Sequence, residues 1–327
     1  MPCAKNADSS RLMMLKSCLP HIGACFAILV WGITFASTRA LLVDFSSLEI
    51  LVLRFALAFF SLSIVERFNG LSKHFGGRGE RLFAAMGFTG IVAYQFLENC
   101  AIYYTNASNV AILVSFGPVV TALMARMFTK NTQLAPRLVF GSAVAICGVA
   151  FVCLNGFAKF ELRPIGDAMA FLAMVSWGIY SILLDVANKR GIPPLVAVRK
   201  AFGWSLLMMM PVVVWGTTES GICALDGSFA VILDAKANAV RFLDVVNWMN
   251  ILFLGIFASA VSFALWSAAC RLLGVVKTTV SLYLTPIVGV VFAAVFLGEK
   301  ITCLEVVGAC VILAGVYMAT TAKGGSK

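Results

Sequence analysis

Ten stretches of about 20 residues in this sequence are apolar enough to cross a bilayer, and that pattern leaves few folds open. They run roughly over 21–42, 47–65, 82–104, 107–127, 137–156, 165–187, 195–215, 247–270, 275–297 and 302–321. In hydrocarbon the backbone N–H and C=O groups must be satisfied internally, and runs this long and uniformly apolar specify helices. Charged residues make up 12% of the 327 and hydrophobic ones 61%, where a soluble domain carries about 25% charged residues. The chain therefore reads as an all-α integral membrane protein. Its net charge of +10 belongs to loops at the membrane surface and gives no reason to expect a nucleic-acid partner.

The basic residues also orient the spans. With the N-terminus inside, eighteen Lys and Arg fall in cytoplasmic segments and six in external ones, with Arg54 left within a span. That bias supports ten spans with both termini cytoplasmic, since an error of one span would scramble it. Residues 1–20 are a short basic tail and 322–327 a second one. The apolar run from His21 is too long for a signal-peptide core and shows no small-residue cleavage site. The ten cysteines include no CxxC pair, and most lie in apolar runs, where a thiol packs as a small hydrophobe. They suggest neither a disulfide framework nor a metal site.

The sequence is internally duplicated. Val275–Lys300, an apolar helix with Pro286 near its middle, repeats Ala107–Lys130, which carries Pro118 in the same place, at an offset of 168 residues. Trp31-Gly32 matches Trp177-Gly178 at an offset of 146, and Arg54 matches Arg199 at 145. Gly141 and Gly148 match Gly308 and Gly315 at 167. Five spans per copy make the second copy enter the membrane from the opposite side. The expected architecture is two inverted five-helix repeats, 21–156 and 165–321, joined at 157–164, with a long external loop at 216–246. Inverted repeats characterise secondary transporters, whose substrate site lies near the midplane between the halves. The four glycines, seven apart on one face of each helix, are expected to permit close helix contact within a bundle or between protomers.

Paired five-helix halves, Trp-Gly in spans one and six, prolines in spans four and nine, and LGEKIT at Leu297–Thr302 together resemble the EamA-type family of the drug/metabolite transporter superfamily. The resemblance runs from about Ile22 to Thr321. It implies ten helices around a central cavity and export or exchange of metabolites, often amino acids or related amphipathic molecules. Two features depart from it. The first half reads FTKNTQ where the family often repeats the LGE ending. The 216–246 connection is long for the family, and its apolar patch at Phe229–Leu233 suits a surface-lying helix.

Polar groups at membrane depth are costly and so mark functional candidates. Span three places Gln95, Asn99 and Tyr103 on one face, with Glu98 on an adjoining edge. Glu98, the one carboxylate placed deep inside a span, is the candidate for proton coupling. Its alternative is a structural role, hydrogen-bonded by Gln95 or Tyr94 or paired with Arg54. Arg54 is the other intramembrane charge: a receptor for a substrate carboxylate, a partner for Glu98, or a residue snorkelling to an interface. Trp31, Thr34, Trp177, Tyr180, Trp266 and Tyr283 complete the candidate cavity lining, with Asn109, Ser115 and Ser281 as weaker candidates. Pro118 and Pro286 each remove a backbone hydrogen bond and kink their helices, as hinges or as fixed bends.

The expected function is secondary transport of a small amphipathic metabolite by alternating access across the cell membrane, by a monomer or homodimer. Its rivals are a passive uniporter or channel-like facilitator and a membrane sensor. No HExxH, Walker A loop, nucleophile elbow or acidic metal cluster is present, and the two histidines, His21 and His74, fall at membrane edges or in loops. No enzyme activity, ATP-driven pump, metal or cofactor is expected.

Overall fold

The computed structural model describes residues 3–70, 79–105, 107–128, 135–154, 163–216, 240–296 and 300–321. Among them every regular element is helical. The chain opens with α1 (Cys3–Leu41) and α2 (Ser47–Phe68). Then come α3 (Glu80–Gly87), a π-helical turn over Phe88–Ala93, and α4 (Tyr94–Tyr104). α5 (Ala107–Val114), α6 (Gly117–Phe128), α7 (Pro136–Leu154), α8 (Pro164–Lys189) and α9 (Pro194–Gly216) follow. α10 (Val245–Leu252) passes through a second π-helical turn, Phe253–Val261, into α11 (Ser262–Leu273). α12 (Val275–Val280), a 3₁₀ turn Ser281–Leu284, α13 (Thr285–Phe296) and α14 (Cys303–Thr320) complete it.

Eight helices in the described set, some continuing through a π or 3₁₀ turn, are long and apolar enough to cross a membrane. The α3–α4 stretch and α9 pack among them; they carry Gln95 with Glu98 and Arg199 with Lys200. Large apolar side chains such as Phe60, Phe140, Leu207 and Leu313 point outward, which suits a lipid-facing exterior. The connection expected to hold a surface helix falls largely on residues 217–239, outside the described residues. So do 157–162 of the expected linker and the 322–327 tail.

Local chemistry sets the helix ends. Ser46 with Glu49, and Thr302 with Glu305, form capping boxes that satisfy the first donors of α2 and α14. Proline opens α7, α8 and α9, where its missing N–H would have no intrahelical partner anyway. Pro118 is the second residue of α6 and Pro286 the second of α13, so the break in each span falls just before its proline. α1 reaches back to Cys3 through Pro20, a helical entry that the basic tail does not announce.

α7 and α14 run antiparallel in backbone contact. A Cβ at Gly148 would lie 2.6 Å from Ile312 N and 2.7 Å from Gly308 O, and one at Gly141 would lie 2.5 Å from Ala319 N and 2.7 Å from Gly315 O. The glycines expected to permit close contact do so inside one bundle, Gly141 with Gly315 and Gly148 with Gly308. Ala145, Val149, Ile312 and Tyr283 form the core around this seam. A second reciprocal pair recurs elsewhere. Gly87 lets α3 lie against the backbone of α9 at Ala201 and Ser205, and Gly255 lets the second π turn lie on α2 at Leu57 and Arg54 O.

Gly148→Ala therefore forces two backbones apart and is expected to destabilise by about 1–3 kcal/mol. Cys147→Ala, on the neighbouring exposed position, is expected to change little. Thermal melting of the two variants in detergent checks this; equal melting would contradict the seam.

Candidate functional site

Aromatic rings from α1, α2, α4, α8, α9 and α11 meet at the centre of the bundle. The Trp31 ring lies 5.2 Å from Trp266, 5.4 Å from Phe263 and 6.5 Å, edge-on, from Trp177. Trp177 lies 5.3 Å from Tyr94 and 5.2 Å from Tyr180. Phe202 joins Phe263 to Phe55 at 5.3 Å on either side. Tilted and edge-to-face pairs at these distances each add about 0.5–1.5 kcal/mol beyond burial. Glycine makes the approach workable, because a Cβ at Gly90 would sit 2.3 Å from the Tyr180 ring. Likewise a Cβ at Gly32 would sit 2.5 Å from a Val288 methyl, so α1 meets α13 beside Trp31.

The polar groups within this cluster are few and specifically placed. The Trp31 Nε1–H donates to Ala258 O at 2.9 Å, and Arg54 Nε donates to the fully buried Ser259 Oγ at 3.0 Å. Both acceptors sit in the π turn Phe253–Val261. Such turns re-aim backbone and side-chain groups and recur at functional sites. The Arg54 guanidinium also lies 5.1 Å over the Phe55 ring. Tyr94 Oη donates to Glu98 Oε1 at 3.0 Å. Arg54 and Glu98 are near enough for their opposite charges to act on each other, yet each makes its hydrogen bond to a neutral group instead. Among the described residues, the indole N–H of Trp177, only 8% exposed, has no acceptor, and the hydroxyls of Thr121, Ser267 and Thr285 are also buried without a partner.

Of the residues singled out from sequence, Trp31, Trp177, Tyr180 and Trp266 come together here, with Arg54 and Glu98 at the edges. Gln95 is half-buried on α4; Asn99 and Tyr103 share that helix, but their side chains lie outside the described residues. Thr34 turns back to Trp31 O at 2.6 Å, Ser115 to Ile112 O at 2.6 Å and Ser281 to Thr278 O at 2.5 Å. Tyr283 packs at the glycine seam, in a different core from the tryptophans. Asn109 joins Thr105 in bonding Asp167 at the start of α8, at 3.3 and 3.0 Å. Sequence reasoning missed Ala258, Ser259 and Phe263, which lie in an apolar run with no feature that announces a π turn.

Ion pairs tie the bundle at both ends. At one end Arg241 donates two hydrogen bonds to Glu49, at 2.8 and 2.9 Å, and lies 4.5 Å over the Phe45 ring. At the other end Arg199 pairs with Glu66 and Lys200 with Glu80. Burial alone would push the Glu80 carboxyl up, but hydrogen bonds from Lys200 and Trp204 outweigh it and hold the group below its usual value.

The fold and site define a multi-pass helical membrane protein with an aromatic, sparsely polar centre. The chain belongs to the EamA-like transporter family, whose model matches residues 19–154 and again 164–321. It is 26% identical over 294 residues to a probable terminal-alkyne amino-acid exporter of Streptantibioticus cattleyicolor, covering 89% of this chain and 90% of that one. It is also 26% identical over 296 residues to a probable amino-acid metabolite efflux pump of Escherichia coli, covering 90% and 92%. A solved crystal structure shares the fold with a TM-score of 0.67 at 17% identity, over 93% of this chain and 98% of that one.

The two central tryptophans make opposite predictions. Trp31→Phe strands the Ala258 carbonyl, whereas Trp177→Phe removes a donor that already lacks a partner. Both shrink the ring equally, so Trp31→Phe is expected to be the less stable by about 1–3 kcal/mol. Parallel denaturation of the two variants measures the difference, and a reversed order would rule out this assignment of the two indoles.

Proposed function

We propose that the protein is a secondary transporter that exports or exchanges small amphipathic metabolites, amino acids or related compounds, across the cell membrane by alternating access. In this reading ten spans form two inverted five-helix repeats with both termini cytoplasmic. The carrying observation is the aromatic cluster in which Trp31 and Trp177, matched positions of the two halves, meet edge-on, the Trp177 indole N–H being buried without a partner among the described residues. A site for a small molecule combines such apolar walls with a few convergent polar groups.

Several observations support the duplication. The family model matches twice, once in each half. Both π turns fall at corresponding places, and Gly87 and Gly255 pack on helices of the opposite half. The two relatives' names support the substrate class. The halves rock about the central cluster, and the ion pairs of Glu49–Arg241 and of Glu66–Arg199 with Glu80–Lys200 close the external and cytoplasmic ends. Glu98 exchanges the coupling proton.

Counterflow of radiolabelled amino acids into proteoliposomes, with and without a pH gradient, tests this. Saturable counterflow driven by the gradient is expected, and Glu98→Gln is expected to abolish the gradient drive. Drive that survives in the variant removes Glu98 from proton coupling. Flux without counterflow favours a channel-like facilitator, and no flux favours a sensor.

A further inference from the structure

At the edges of the central aromatic cluster stand two opposite charges that act on each other across space but share no hydrogen bond among the described residues. Arg54, on α2, hydrogen-bonds Ser259, and Glu98, on α4, is hydrogen-bonded by Tyr94. Among the described residues these are the hydrogen bonds of the two charged side chains. A chain of contacts connects them: Ser259 adjoins Ala258, which holds Trp31; Trp31 meets Trp177; and Trp177 meets Tyr94. The two charges thus border one aromatic surface, near enough to act on each other. Holding a charge away from water costs several kcal/mol unless a counter-charge and hydrogen bonds offset it. A direct ion pair would offset both, and the fold does not form one. A ligand with a single charge would complete one side and leave the other.

We propose that Arg54 and Glu98 form a zwitterion clamp, Arg54 receiving the carboxylate and Glu98 the ammonium of an α-amino acid whose apolar side chain lies on Trp31, Trp177 and Phe263. Arg54 keeps the donors of its planar fork beyond Nε, a geometry that matches a carboxylate. Glu98 keeps its second carboxylate oxygen for an ammonium. The unpartnered Trp177 N–H is a third polar contact available to the bound molecule. Recognition of both charges would separate amino acids from the amines and N-acyl acids that share their side chains.

This inference rests on the transporter reading, so binding is measured beside flux. The probes are L-phenylalanine, phenethylamine, which lacks the carboxylate, and N-acetyl-L-phenylalanine, which lacks the ammonium; L-leucine and L-threonine widen the amino-acid set. Wild-type protein in proteoliposomes is expected to exchange labelled amino acid, with both analogues competing about thirtyfold or more less well. Arg54→Gln is expected to lose the preference over phenethylamine, and Glu98→Gln the preference over N-acetyl-L-phenylalanine, with Arg54→Lys restoring part of the first. Binding is read independently in detergent through quenching of tryptophan fluorescence, since Trp31, Trp177 and Trp266 line the cluster.

Equal competition by the analogues in the wild type overturns the clamp and leaves the transporter. Discriminating binding without exchange keeps the clamp and overturns transport. If none of the three amino acids binds or exchanges, the clamp is wrong whatever else the protein carries. The wild-type comparison needs no variant to fold.

Discussion

The contact between α7 and α14 is the constraint on which the other packing depends. Four glycines bring two helix backbones together, and any side chain there would collide with main-chain atoms that have nowhere to move. In a membrane there is little hydrophobic drive between helices, so close packing of small residues supplies much of the association. The seam has its own core, with Tyr283 in it. It is separate from the central aromatic core, so the tryptophan cluster is left for residues of α1, α8 and α11.

The same use of glycine recurs where the π turns meet their neighbours. Gly255 seats the second π turn on α2 against the Arg54 carbonyl, and the next turn of that segment presents Ala258 O to Trp31 and Ser259 Oγ to Arg54. One backbone irregularity thereby orients both an indole and a guanidinium. Hydrogen bonds made by neutral groups to a buried charge are stronger than ordinary ones but do not cancel it. Arg54 and Glu98 act on each other only across space, whereas the pairs at the ends are in direct contact.

Much of this arrangement was legible in the sequence, and the illegible part has a common cause. Helix type and approximate extent follow from uninterrupted apolar runs; the seven-residue glycine spacing announced a close contact but left open whether it lay within the bundle or between protomers. Trp31 and Trp177 each precede a glycine well inside an apolar run, which made them recognisable as candidates, and their rings meet at 6.5 Å. Tyr94 and Glu98 are four apart on one helix, so their bond was among the readings open from spacing alone. Ser259 as the partner of Arg54 was not, because it depends on a π turn within FLGIFASAV, a segment whose composition looks like any lipid-facing helix. Tyr283 and Tyr180 look alike in sequence, both tyrosines inside apolar spans, and only the packing assigns one to the seam and the other to the centre. Arg241 reads from sequence as a loop cation; its bond to Glu49 joins residues 192 apart, which no local pattern records.

α2 shows how these features combine. Its first turn carries Glu49, bound to Arg241, and its last carries Glu66, bound to Arg199. Both carboxylates are buried, so removing either cation would leave a charge without water or counter-ion, a cost of about 3–5 kcal/mol. The helix is thus fixed at both ends by pairs that are complete, while Arg54 between them bonds only a hydroxyl. Opening an end to water weakens the pair there, because hydration replaces part of what the partner supplied. The same hydration brought to Arg54 would compete with a bound carboxylate. On the proposed clamp, a ligand that completes the charge balance at the middle of this helix would act on the same element whose two ends the ion pairs hold.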